Sequence, residues 1–285
     1  MKIEALRTVS ELGEVESTDG VTGGTSRGIS LPVQIALVTR RNLLSIFRTP
    51  EALLPPLAIS LFFLVIYNST LGKASGFIPD LGSNSYLGFI LPLSIVSSSL
   101  AGAGITAQNL VRDIESGYFD KLLLTPISRT ALLLGPIFAG AIILGIQATV
   151  VVGVALILGL EPATGLMGLL AVIGLAVLLG TGFAGFTVSA ALGSGSAAAT
   201  QGASFLFFPM TFLAPTFVPL DLLDGWLATA ARLNPITYVL VAMRGLINRN
   251  WDVSDLWLAV LACLGLAVVM YALAVFALRV RTRRV

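Results

Sequence analysis

TALLLGPIFAGAIILGIQATVVVGVALILGL, residues 130–160, contains no Asp, Glu, Lys or Arg. About 20 apolar residues in a helix cross the hydrocarbon of a bilayer. Thr130–Leu160 is therefore a membrane span, with residues to spare for a tilted or interfacial end. Five further segments read the same way: Glu51–Asn68, Tyr86–Val111, Thr164–Leu192, Ala197–Val218 and Leu256–Leu278. The first is the shortest and still falls within the length that crosses. Each must be helical, because an open strand would leave unpaired backbone groups in lipid. The predicted fold is an all-α membrane protein with six transmembrane helices.

Composition agrees. The 285 residues are 56% hydrophobic and 11% charged, with a mean hydropathy of +0.93. A soluble domain carries roughly 25% charged residues, and a chain this apolar could not cover its own surface. The net charge of +2 gives no nucleic-acid partner. Histidine is absent, which removes the commonest general base and metal ligand and excludes a Ser–His hydrolase. The one cysteine, Cys263, lies in an apolar run, so no intrachain disulfide forms. No cofactor or metal is expected.

The flanking charges orient the spans. With the N-terminus inside, the inner segments hold Lys2, Arg7, Arg27, Arg40, Arg41, Arg48, Arg112, Lys121, Arg129, Arg279, Arg281, Arg283 and Arg284. The outer ones hold only Lys73, Arg232, Arg244 and Arg249. Both termini are expected in the cytoplasm. The turn at Glu161 and Pro162 is then external, the Gly193–Ser196 turn internal, and Trp226, Trp251 and Trp257 form an outer aromatic belt.

Residues 1–30, with five acidic residues among Gly, Ser and Thr and no signal-peptide core, read as a disordered cytoplasmic tail. Residues 31–278 form the transmembrane domain and 279–285 a basic tail. At helical spacing Leu31–Arg48 places Gln34, Arg41, Ser45 and Arg48 on one face and Ala36, Leu43 and Phe47 opposite. That suits a helix lying on the inner membrane surface with its arginines toward anionic headgroups. Thr49 and Pro50 read as the cap and first turn of the first span. Pro219–Asp255 contains apolar pieces such as Ile236–Met243, too short to cross, and reads as a re-entrant or interfacial segment.

The spans lack a central ionisable group of the kind ion-coupled carriers and pumps use. No charged ring or carbonyl filter marks a selective pore. Small residues (Gly135 with Ala139, Ala141 with Gly145, Gly182 with Phe186 and Ser189) favour close helix packing. Ser97, Ser98, Ser99, Gln108, Asn109 and Gln147 are the polar groups in lipid. Of these Gln108, Asn109 and Gln147, with Phe205, Phe208 and Phe212 of the phenylalanine-rich fifth span, are candidates to line a translocation path. No G-x-x-x-x-G-K-[ST] phosphate loop occurs, so uphill transport would draw on a partner. On residues alone, an ion-coupled carrier or channel acting without an ATPase is the alternative.

Between spans two and three stands RDIESGYFDKLLLTPISR, residues 112–129. Phe119, Leu122 and Leu123 share a helical face, Pro126 ends the helix, and Ser128 is placed to cap the next span. This loop resembles the signature of the ABC type-2 exporter permeases, the class of drug-resistance, polysaccharide-export and lipid-export permeases. Their pattern is roughly acidic-x-Glu-x-Gly-[TS]-x-[ED]-x-Leu-Leu-x-[ST]-Pro, then a basic residue. Asp113, Glu115, Gly117, Asp120, Leu122, Leu123, Thr125, Pro126 and Arg129 fill those places, and Tyr118 stands where Thr is usual. Asn234-Pro235 with Arg244-Gly245 is similar to a stretch of the family's external re-entrant segment. The resemblance runs from about Leu31 to the C-terminus. It implies a permease that pairs with a second permease chain, each seated on a separate ABC ATPase subunit. Glu115–Pro126 would be the coupling helix, Gly117 and Pro126 shaping it and Asp113, Glu115 and Arg129 meeting the ATPase. Phe119 and Asp120 belong to the same element. The implied activity is ATP-driven export of an amphipathic drug, lipid or lipid-linked glycan across the plasma membrane.

Overall fold

The computed structural model describes residues 30–71, 86–216, 220 and 223–282. The first 29 residues, Lys73, Phe217, Asp221 and the last three residues lie outside that set, so the predicted disordered tail does too. Among the described residues the chain is helical throughout, without a strand. Eleven helices follow in order: α1 (Leu31–Phe47), α2 (Pro50–Leu71), α3 (Tyr86–Glu115), α4 (Tyr118–Leu123), α5 (Arg129–Ile157), α6 (Gly165–Ser194), α7 (Ala197–Phe205), α8 (Phe207–Leu213), α9 (Gly225–Leu233), α10 (Pro235–Asn248) and α11 (Val253–Thr282).

Among the described residues five helices, α2, α3, α5, α6 and α11, are long and apolar enough to cross a membrane. The predicted fifth span, Ala197–Val218, is not one helix. It divides at Leu206 into α7 and α8. Pro209 explains the division, because proline has no N–H to donate and is tolerated in a helix's first turn. The chain therefore restarts at Phe207 and places Pro209 there. Pro215 ends α8 in turn, holding Ala214 extended at φ −83° and ψ 162°. The other predicted spans are helices whose ends shift by a few residues. The last runs on to Thr282, so its basic end is helix where a separate tail from 279 was expected.

α3 is the axis of the bundle: its membrane-length stretch is 89% buried, against 11% for α2. α6 and α11 pack along each other, with Gly182 against Leu266 and Gly185 against Met270, where a Cβ would crowd. Close approach through small residues is how helices associate in lipid, where burial against a neighbour gains little over burial against acyl chains. The main apolar core joins α3, α5, α6, α10 and α11 around Ile90, Leu179, Phe183 and Leu240. α10 is shorter than a span and is nearly enclosed, against α3, α6 and α11.

α1 departs from the predicted flat amphipathic helix. It packs on α5 through Val38, Asn42 and Ile46. Gly135 has no Cβ to strike Val38, so Thr39 comes close enough to donate to the Gly135 carbonyl at 3.2 Å. Phe47 and Leu44 are exposed, and Arg40 and Arg48 with them. Arg41 has a partner within the chain. It turns inward to a carboxylate, which gives a planar guanidinium two matched acceptors.

Candidate functional site

The loop between α3 and α5 is a built structure. α3 ends at Glu115, and Gly117 turns the chain at φ +69°, a left-handed conformation that side chains rarely adopt. α4 starts there and drives Phe119, 2% exposed, into a cluster with Val111, Ile114, Leu133, Leu192 and Leu278. Four long helices thus contribute to the seat of one aromatic ring. Leu123 packs on the same cluster, and Leu122 is half-buried. Ser128 caps α5 as its spacing predicts, its hydroxyl accepting from the Ala131 N–H at 3.1 Å.

Polar ties clamp α4 from both sides. Arg41 of α1 holds Asp113 bidentately, Nη2 to Oδ1 at 2.6 Å and Nη1 to Oδ2 at 2.9 Å, with its guanidinium 4.0 Å over the Tyr118 ring. The Ser128 N–H donates to Gln34 of α1 at 2.8 Å. From α11, Arg281 pairs with Asp120 at 3.9 Å, and Arg129 donates to Thr282 at 3.2 Å. Asp113, Asp120 and Arg129 are thus engaged within the chain. Glu115, Lys121, Leu124, Thr125 and Pro126 are exposed. Leu124 is 85% exposed, a bare apolar side chain at the tip of the bundle. Sequence reading missed Leu124, Arg41 and Arg281. The signal for Leu124 was its angular position, since five residues after Phe119 a helix points well away from the buried face. Nothing local marked the two arginines, whose partners lie 72 and 161 positions away along the chain.

A second surface joins α3 to α7 and α8. Gln108 donates to the Gln201 amide oxygen at 3.2 Å and to the Ala197 carbonyl at 3.3 Å. Gln201, Phe205, Phe208 and Phe212 follow one another at one-turn spacing. The three rings form an exposed ladder, with centroids 5.8 Å and 4.8 Å apart. An amide pair therefore leads into an aromatic stripe. Asn109 and Gln147 do not join it: both are buried inside the bundle.

The Asn234-Pro235…Arg244 stretch is a knot rather than an open surface. Asn234 caps α10, accepting from the Ile236 N–H at 3.0 Å, and its amide donates to Met210 of α8 at 2.6 Å. Pro235 occupies the first turn of α10, where a missing donor is harmless. Arg244 is buried, donating to the carbonyls of Pro215 and Thr216 at 2.6 Å each and to Phe89 at 3.3 Å, with its guanidinium 3.8 Å over the Phe89 ring. The far end of α10 is tied by Ala163 and Thr164, which donate to the Ile247 and Leu246 carbonyls at 2.8 Å and 2.6 Å. Beside it, Asp252 starts α11: its carboxylate accepts from the Ser254 hydroxyl and the backbone N–H groups of Ser254 and Asp255. The Ser254 hydroxyl foremost, then those N–H groups, hold its pKa below the ordinary carboxylate value.

Comparison with known proteins adds an independent observation. The sequence profile described as "ABC-2 type transporter" matches residues 33–248. A Mycobacterium tuberculosis protein named "Probable doxorubicin resistance ABC transporter permease protein DrrC" is 26% identical over 212 residues, covering 74% of this chain and 76% of that protein. The "Daunorubicin resistance ABC transporter permease protein DrrB1" of Streptomyces coeruleorubidus is 26% identical over 257 residues, covering 85% and 89%. The profile takes in α10 and nearly all of α1, and with them α4, the aromatic ladder and Arg244, while α11 with Arg281 lies beyond it.

Proposed function

From the ABC-2 type transporter family, to which this chain belongs, we propose the membrane-spanning half of an ATP-driven exporter of amphipathic molecules. Members of the family are transmembrane permease subunits, and a separate ABC ATPase hydrolyses the ATP. The observation that carries the reading is the α4 clamp. Phe119 roots α4 in four long helices, Arg41 and Arg281 brace it, and Leu124, Thr125, Pro126 and Glu115 stay exposed as a docking tip. A push on that tip reaches α3 and α5 through the backbone and α1 and α11 through side chains. Gly117 and Pro126 set its shape. Asp113, assigned by sequence to contact with the ATPase, acts in this reading as the brace for Arg41.

The substrate path follows Gln108, Gln201, Phe205, Phe208 and Phe212, a polar end leading into an aromatic ladder that suits a molecule with both characters. Two relatives named for doxorubicin and daunorubicin resistance support a drug-like substrate. α7 and α8 together form a broken sixth crossing: their 17 residues, Ala197–Leu213, rise about 25 Å. Arg244 and Asn234 anchor its far end. A second permease chain completes the path, in the plasma membrane, with both termini in the cytoplasm.

The test is reconstitution with the ATPase subunit. The two are expected to co-purify and to show drug-stimulated ATP hydrolysis. Glu115→Lys is expected to weaken capture of the ATPase about tenfold, or about 1.4 kcal/mol. Gly117→Pro should abolish coupling, because proline cannot reach φ +69°. Transport by the purified permease alone, driven by an ion gradient without ATP, overturns the proposal.

A further inference from the structure

α5 carries one amide in its apolar length, Gln147. It is 4% exposed, and neither its Oε1 nor its Nε2 has a hydrogen-bond partner among the described residues. An amide buried in a membrane span without a partner is expensive, since no water competes there to satisfy it. Its position against α3 is specific. The Oε1 atom lies 2.7 Å from the point that a Cβ on Gly102 would occupy, and a Leu144 methyl lies 2.6 Å from it. Gly102 is what allows this approach.

One turn along α3 from that notch lies Ser98, and one turn the other way Thr106. Both are 1% exposed, and the hydroxyls of both lack a partner among the described residues. Each stands about 6 Å along the helix axis from Gly102. A buried donor–acceptor amide thus faces glycine, with unsatisfied hydroxyls one turn away on either side. A displacement of one helical turn, about 5.4 Å, would bring the amide to the level of a hydroxyl. Helices that repack between two discrete registers are a known basis of conformational switching.

We infer that Gln147 and Ser98 form a hydrogen-bonded catch between α5 and α3 that closes only in the second state of the transport cycle. The inference rests on the proposed coupling role of α4. α4 joins the last turn of α3 to the first turn of α5, and the two helices run antiparallel. A thrust that moves α5 away from the α4 end carries Gln147 toward the start of α3, which is the direction of Ser98. The same movement carries Gln147 away from Thr106, whose hydroxyl now sits against Gly140 of α5. Gln147 is a positioning residue here: it favours the displaced register by leaving the present one with an unpaired amide.

The experiment uses the permease–ATPase complex with Cys263→Ala, so that introduced cysteines are the only thiols of the permease chain. Two pairs are compared under mild oxidation, Gln147→Cys with Ser98→Cys and Gln147→Cys with Thr106→Cys. Each is tested without nucleotide and with a non-hydrolysable ATP analogue. The Ser98 pair is expected to cross-link several-fold more with the analogue. Equal cross-linking in both states, or a gain in the Thr106 pair alone, overturns the inference. Gln147→Leu supplies an independent readout. It should leave the nucleotide-free melting temperature unchanged or raised while cutting drug-stimulated ATP hydrolysis several-fold. A lowered melting temperature with hydrolysis intact assigns the amide an ordinary structural role and also overturns the inference. A complex that fails to assemble is seen earlier, at co-purification. It removes the proposed function, and the catch falls with it.

Discussion

Arg244 shows how one residue holds a motif together. Its three donors end on the carbonyls of the adjacent Pro215 and Thr216 and of Phe89, in two segments distant from each other in sequence. Those carbonyls lie where helices end or bend around prolines, so the helical ladder does not satisfy all of them. A guanidinium offers a planar fork, whereas an ammonium is a single point charge on a flexible stem. Arg244→Lys is therefore expected to keep the charge and lose the geometry, lowering stability by about 1.5–3 kcal/mol, the worth of one charge-assisted bond. Thermal unfolding in detergent measures it. A Lys variant as stable as the parent would mean that the fork is not what holds α8 to α10. In the sequence Arg244 stood out as an arginine on the side where arginine is scarce. That it is a tether and not a surface charge needed the fold.

At the scale of elements, hydropathy gave the long helices readily, because a span's length and apolarity are local properties. It merged α7 and α8 because a hydropathy window averages over Pro209. It gave α4 its correct face but not its braces. It turned Arg41 the wrong way because the rule that basic residues seek headgroups describes an average, while Asp113 is a specific partner. The brace is testable as a pair. Arg41→Ala and Asp113→Ala should each lower drug-stimulated ATP hydrolysis, and the charge swap Arg41→Asp with Asp113→Arg should recover part of it. The static pair is worth no more than about 1 kcal/mol, since Arg41 is 38% exposed. The expected signature is therefore a loss of coupling with little change in melting temperature. Two single variants with full coupling would show that α1 does not belong to the transmission path.

For the whole molecule the remaining property is orientation. By the charge rule α4 is expected inside and the α10–α11 connection outside, and the structure supplies one exposed probe in each. Leu124 at the tip of α4 is 85% exposed, and Trp251 before α11 is 49% exposed. The native Cys263 is buried, so it stays silent toward a bulky thiol reagent in the folded protein. In intact cells, Trp251→Cys is expected to react with a membrane-impermeant maleimide and Leu124→Cys to react only after permeabilisation. The opposite pattern would invert the chain and put the docking tip on the wrong side for a cytoplasmic ATPase. The charge rule would then have failed for a definite reason. Arg232, Arg244 and Arg249 all belong to the long α8–α11 connection, and long connections cross with little regard to charge. The weight of the rule therefore rests on the short segments, and α4, with Arg112, Lys121 and Arg129 around it, is the most basic of the short connections between spans.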